Sequence, residues 1–164
     1  MELKALQNKD IQLVGNWISK PHVFKWLCPG GAQVKEDWLD ELKGRSTSHR
    51  HFRHFLAYIG DRPIGFCMYY DSFFEKEYIL SHYGLEVDKP GQVFEIGYLI
   101  GEEKYLNKGY GKRMIVLIEE LIKAEGGMLI LADPSEENGA SVRVLLAAGF
   151  QKYKDEDYRK YMIT

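Results

Sequence analysis

Cysteine is scarce in this chain. Cys28 and Cys67 are the only two among 164 residues, and they stand far apart. That excludes a disulfide framework and any paired-cysteine metal or redox motif, and it suits a reducing interior. Long apolar runs are missing too: no stretch reaches the roughly 18 apolar residues of a bilayer-spanning helix. The opening Met1-Glu2-Leu3-Lys4 carries an acid and lacks an apolar core, so it does not read as a signal peptide. A cytoplasmic location is the expectation. Charge of one sign is also lacking, since 22 basic and 24 acidic residues leave a net −2. Nothing in that balance draws the chain to nucleic acid or to an anionic membrane. There is no internal repeat, linker or low-complexity tract. A composition of 45% hydrophobic and 28% charged residues is that of an ordinary globular protein. One domain over residues 1–164 is expected, long enough to bury a real core.

The chain contains alternating apolar patterns. Leu3 to Leu6 reads as a strand, and Asp10 as the cap of a helix running to about Ile18. Val34, Trp38, Leu39 and Leu42 recur at helical spacing before Gly44. Phe52 to Ile59 and Ile64 to Tyr70 are β-rich and flank Gly60-Asp61-Arg62-Pro63, a hairpin. Val93 to Ile100 is the next strand. A helix from Gly109 to Ala124 sets Ile115, Ile118 and Ile122 on one stripe. Met128 to Ala132 reads as a strand, Asn138 to Ala148 as a helix closed by Gly149, and Phe150 to Lys154 with Tyr158 to Ile163 as a closing strand pair. Tyr78 to Gly91 shows no clear period and is expected to be a lid or binding loop. Hairpins followed by a strand-helix-strand unit make an α/β (α+β) protein, a mixed sheet with helices on both faces.

Leu106-Asn107-Lys108-Gly109-Tyr110-Gly111-Lys112-Arg113 is the most informative stretch. It follows a strand and opens a helix. Such a turn offers backbone N–H groups to an anion, and the helix terminus adds about half a positive charge. Lys108, Lys112 and Arg113 crowd cations around the same point. The segment reads as a pyrophosphate cradle, although glycines also serve a plain strand-to-helix turn. A Walker A loop is excluded, because Leu106 and Arg113 stand where it needs Gly and a hydroxyl. A dinucleotide fingerprint is excluded by Met114 in place of its third Gly.

Downstream come the apolar run Met128-Leu129-Ile130-Leu131-Ala132, then Asp133-Pro134-Ser135, and Asn138-Gly139-Ala140-Ser141 leading to Gly149-Phe150. This order resembles the GNAT superfamily of acyl-CoA-dependent N-acetyltransferases across Glu95 to Phe150. Gly109 and Gly111 match that family's loop glycines, Asn138 its asparagine, and Gly149-Phe150 its helix end. The resemblance implies a single-domain GNAT-like fold with a mostly antiparallel central sheet and acetyl-CoA as acyl donor. It implies CoA contacts from Tyr98, Leu99 and Ile100, from Leu106 to Lys112, and from Asn138 and Ser141; Asn138 is also a plausible N-cap. Leu106 departs from the family's usual Gln or Arg, and Leu145 from its usual Tyr, the proton donor to the departing thiolate. The amino half, from Asn16-Trp17 to Lys25-Trp26 with Arg62-Pro63-Ile64-Gly65-Phe66, Tyr70 and Asp133-Pro134, is similar to the aminoglycoside 6′-N-acetyltransferases and the related siderophore-lysine acyltransferases.

An amine that attacks a thioester must be neutral, yet a free alkylamine has a pKa of about 10. A proton acceptor within reach is required. Glu95 and Asp133 are the candidate catalytic carboxylates, with Asp133 preferred because the aminoglycoside group places its amine-binding Asp there. Glu95 can instead pair with a lysine, and Asp133 can instead make an Asx turn before Pro134. The oxyanion needs donors aimed at it; the resemblance implies a backbone N–H of the central strand, here that of Tyr98, Leu99 or Ile100.

Trp26, Tyr70 and Asp133 are the candidate substrate contacts. Phe73 and Phe74 can extend an aromatic wall, and Asp71, Glu75 and Glu77 can attract a cation. His49-Arg50-His51-Phe52-Arg53-His54 lacks cysteine or carboxylate partners, so no metal is expected. The expected reaction is direct acetyl transfer to a primary amine of a small cationic molecule, without an acyl-enzyme, because neither cysteine lies in the matched segments. A protein N-terminal or lysine acetyltransferase and a silent acyl-CoA-binding module are the alternatives. The oligomeric state stays open.

Overall fold

The computed structural model describes residues 1–163. The chain clusters into two compact units, Met1–Met68 with Tyr98–Met114, and Tyr69–Gly97 with Ile115 onward.

The first unit opens with strand β1 (Glu2–Ala5), followed by helices α1 (Ile11–Ile18), α2 (Pro21–Leu27) and α3 (Ala32–Lys43). Strand β2 (Phe52–Ile59) and most of β3 (Arg62–Asp71) form the expected hairpin. β1 pairs antiparallel with β2, Leu3 opposite Ala57 and Ala5 opposite Phe55. Val14, Trp17 and Ile18 repeat at helical spacing and are all buried, which is why α1 forms where it does. Asp10 precedes α1 as expected, but its carboxylate accepts the Gln7 N–H at 2.9 Å and does not cap α1. α2 lies in a segment to which the apolar pattern assigns no element; Pro21 at its first position starts it. On β3, Gly65 has no side chain to hold off the Leu99 carbonyl and the Met114 methyl. Behind it, Trp38 stands edge-on to Phe66 at 6.2 Å, and Glu41 meets Nε2 of the buried His54 at 2.7 Å.

The second unit begins with helix α4 (Lys76–Tyr83) and strand β4 (Val93–Ile100), whose last residues belong to the first unit. Helix α5 (Tyr110–Ala124) starts in the first unit and ends in the second. Strand β5 (Leu129–Ala132), helix α6 (Gly139–Ala147) and strands β6 (Gln151–Lys154) and β7 (Asp157–Tyr161) complete it. β5 runs parallel to β4 and antiparallel to β7. The seven strands follow the order β1-β2-β3-β4-β5-β7-β6, one sheet with a parallel pair among antiparallel neighbours. The β4–β5 ladder stops at Glu95 opposite Leu131, and β4 continues to Ile100 without it. On α5, Ile115, Ile118 and Ile122 are fully buried, as the stripe predicts. Among the described residues no helix is long and apolar enough to cross a membrane.

The lid expected over Tyr78 to Gly91 needs correction. Its first part is the end of α4, closed by Gly84 with φ +64, the left-handed conformation that ends helices. Arg159 Nη2 donates to the Tyr83 carbonyl at 3.0 Å and places a cation at that terminus.

Candidate active site

In the first unit, β4 ends at Ile100 and α5 begins at Tyr110, with one 3₁₀ turn, Glu103–Tyr105, between them. The start of this connection is tied down. Trp17 Nε1 donates to Glu102 Oε1 at 2.9 Å, and Lys20 Nζ donates to the Gly101 carbonyl at 3.0 Å. His22 Nε2 donates to the Ile100 carbonyl at 2.9 Å, so that carbonyl is spent on structure. The loop itself stays open. Asn107 has φ 57 and Gly109 has φ 81, two left-handed residues within one short loop. A side chain at Gly109 would meet no heavy atom within 4 Å, so space remains where a diphosphate would lie.

Helix geometry leaves the first-turn N–H groups of α5 without intrahelical acceptors, apart from the Arg113 N–H, which reaches the Gly109 carbonyl at 3.2 Å. Lys108, Lys112 and Arg113 are exposed beside them. Charge and room at this loop suit an anion such as a diphosphate. Leu106, with its N–H donated to the Glu103 carbonyl at 3.0 Å, supplies no polar side chain.

The second unit holds the carboxylates. Glu95 is buried on β4 at 8% exposure. Burial, then the negative charge of Asp133, pushes its pKa up to about 8, while the hydroxyls of Tyr70 and Tyr83 hold it back. Its Oε2 atom and the Tyr83 hydroxyl are both buried without a hydrogen-bond partner in the protein, so Tyr83 acts on the charge at longer range than a hydrogen bond. Lysine pairing of Glu95, the alternative read from sequence, is not what the structure shows. Asp133 follows the end of β5. Its pKa is raised by burial, and His82 opposes that shift. Asp133 Oδ2 lies 3.2 Å from His82 Nε2 and accepts from the Tyr78 hydroxyl at 3.4 Å. Tyr70, Tyr78 and Tyr83 all have raised pKa values, chiefly through burial and then through Glu95, so they stay protonated near neutral pH.

Other expected residues fall elsewhere. Asn138 Oδ1 accepts the Ser141 N–H at 3.2 Å and caps α6. Trp26 is half-buried on α2 in the first unit, with Lys25 Nζ 4.5 Å from its ring. Asp71 is spent on structure, accepting from the N–H groups of Phe73 and Gly91 at 3.0 and 2.6 Å. Leu145, where the family's tyrosine was expected to be replaced, is a fully buried core residue.

Three residues escaped the sequence reading: Tyr78, His82 and Tyr83 of α4. The available signal was their spacing. Tyr78 and His82 stand four residues apart on one face, Ile79 and Tyr83 four apart on the buried one, and Gly84 follows.

The fold has known counterparts. One is a crystal structure of aminoglycoside acetyltransferase AAC(6′)-Ib with coenzyme A, 20% identical over 97% of this chain and 93% of that one, at a TM-score of 0.76. Another is the same enzyme with paromomycin and acetyl-CoA, at 22% identity, 97% and 89% coverage, and a TM-score of 0.71. The aminoglycoside N(6′)-acetyltransferase of Legionella pneumophila aligns at 19% identity, 97% and 91% coverage, and a TM-score of 0.68. A family model for the acetyltransferase (GNAT) domain matches residues 7–158. That match takes in the open loop before α5 and both carboxylates, and it makes the chain a member of the GNAT family, an acyl-CoA-dependent N-acetyltransferase with acetyl-CoA as donor.

Proposed function

We propose that the chain transfers acetyl from acetyl-CoA to a primary amine of a small cationic molecule, aminoglycoside- or polyamine-like, by direct attack, within one GNAT domain. The observation that carries this is Glu95: a buried carboxylate with an orphan oxygen, held beside Asp133. An orphaned buried acceptor costs free energy until a donor meets it. A substrate ammonium supplies donors, and its positive charge favours the ionised form of Glu95.

The steps follow. The diphosphate of CoA is held at Leu106 to Lys112, with contacts from Tyr98 to Ile100, Asn138 and Ser141. Asp133 draws in the ammonium, and Asp133 and Glu95 bring about loss of its proton. A carboxylate with pKa near 8 is better matched to an amine than one near 4, because proton transfer is then less uphill. The neutral amine attacks the thioester carbon, a β4 N–H receives the oxyanion, and the thiolate leaves. Tyr70 lines the acceptor side, and Trp26 is the remaining candidate contact. The amine-bearing ligands named for the AAC(6′)-Ib structures support this substrate class.

Incubation with acetyl-CoA, a thiol reagent, and a panel of spermidine, paromomycin, free lysine and a lysine peptide tests the reading. Thiol release with the small amines supports it. Release only with the peptide would reassign the substrate to protein. Thermal stabilisation by CoA without any release would make the chain a silent acyl-CoA-binding module.

A further inference from the structure

We infer that His82 Nδ1 is the atom that takes the amine proton, with Asp133 as the group that holds and charges His82. This rests on the acetyl-transfer reading and refines it. The geometry is that of an oriented imidazole. Nε2 lies 3.2 Å from Asp133 Oδ2. The ring stacks on Tyr78 at 5.2 Å with 12° between planes, and it meets Tyr83 edge-on at 4.7 Å. A face, an edge and one nitrogen are thus fixed, which leaves the ring a single orientation. An imidazole whose Nε2 faces a carboxylate favours its proton on that nitrogen and its lone pair on Nδ1. Among the described residues Nδ1 has no hydrogen-bond partner. The side chain is 34% exposed, so the ring is not sealed in the core.

A surface ion pair explains the 3.2 Å contact but not the clamp. Exposed pairs are held loosely and contribute little. Here Asp133 also accepts from Tyr78, whose ring is the one stacked on His82. One short helix therefore presents both partners of one carboxylate oxygen. The arrangement positions the ring, and the carboxylate facing Nε2 favours the tautomer with its proton there, which is what a proton acceptor at Nδ1 requires.

The step balances without a further reagent. The amine nitrogen bonds to the acetyl carbonyl carbon, and its proton goes to His82 Nδ1. The carbon–sulfur bond breaks with its electron pair on sulfur, and water protonates the thiolate. The imidazolium, stabilised by Asp133, then returns its proton to solvent. The titratable groups against His82 are Asp133 beyond β5 and Tyr78 and Tyr83 on α4, and Glu156 acts on Asp133.

The test uses the full chain with acetyl-CoA and either spermidine or paromomycin. His82→Ala should lower kcat/KM by about 100-fold or more, with CoA affinity unchanged. The acid limb of the wild-type pH profile should disappear in that variant, and added imidazole should restore part of the rate. His82→Gln covers the case in which the alanine variant fails to fold. A variant as fast as wild type, or one that imidazole does not rescue, overturns the inference. If the wild type releases no thiol with either amine, the acetyl-transfer reading has failed instead. Nitrogen-15 NMR of His82 still decides the geometry in that event. A neutral ring protonated on Nε2 and bare on Nδ1 supports the proposal, and the opposite tautomer overturns it.

Discussion

Trp17 donates its indole N–H to Glu102 at 2.9 Å, which joins α1 to the segment that carries the proposed CoA loop. Trp17 is 1% exposed. Trp17→Ala should cost about 3–5 kcal/mol by loss of buried volume, and Trp17→Phe about 1–2 kcal/mol by loss of the hydrogen bond to a charged group, read by urea unfolding. The indole N–H is the main reason Glu102 has a lowered pKa. That contribution is complete above the ordinary carboxylate range and fades as pH falls toward the lowered value. Trp17→Phe should therefore flatten the acid side of the stability–pH curve.

Gly109→Val should abolish measurable CoA binding by calorimetry. At φ 81 a β-branched residue is strained, so the loop must rearrange. The open space around Gly109 means that the loss comes from backbone direction rather than from a clash with the protein. Unchanged CoA affinity would remove the cradle.

Asp133→Asn preserves shape and removes charge. Turnover should fall at least about 100-fold, with the Kd for CoA within about 2-fold of wild type. Pre-steady-state thiol release and equilibrium CoA titration separate the two. An equal-rate variant would exclude Asp133 from the reaction.

Glu95→Gln makes a stability prediction with a definite sign. The folded state holds the proton up to about pH 8, whereas the unfolded chain releases it near 4.5. Between these values the native state binds more protons, so wild-type stability falls as pH rises. The glutamine variant has no such loss. Its advantage over wild type should open between those two pH values and level off above the upper one, at on the order of 5 kcal/mol. Parallel stability curves for the two proteins would contradict the burial of Glu95.

Leu145→Tyr would restore the family's tyrosine on paper. Leu145 is fully buried, so the larger ring overpacks the core. The expected outcome is a loss of about 1–3 kcal/mol in thermal or denaturant unfolding and no gain in rate. A faster enzyme at unchanged stability would show that this position faces the reaction after all.

How much of this was readable from sequence varies by segment. β4 keeps its expected bounds, Val93–Ile100, because its apolar pattern is continuous. α6 was readable from Asn138 at its start and Gly149 beyond its end, and both act locally. α2 and α4 were not readable, because each is short and buries few residues: Val23 in one, Ile79 and Tyr83 in the other. Asp71 looked like a substrate carboxylate because nothing nearby in sequence reveals its bond to Gly91. Glu95 and Asp133 were visible as residue types. What α4 adds to Asp133 comes from tertiary folding alone.

α4 is eight residues long. Helices of that length do not persist unaided in water. Tyr78 and His82 thus meet Asp133 only while Ile79 and Tyr83 stay docked and Arg159 holds the Tyr83 carbonyl. Warming should then silence the enzyme in two stages, the first a detachment of this one helix at a temperature where the sheet is still intact.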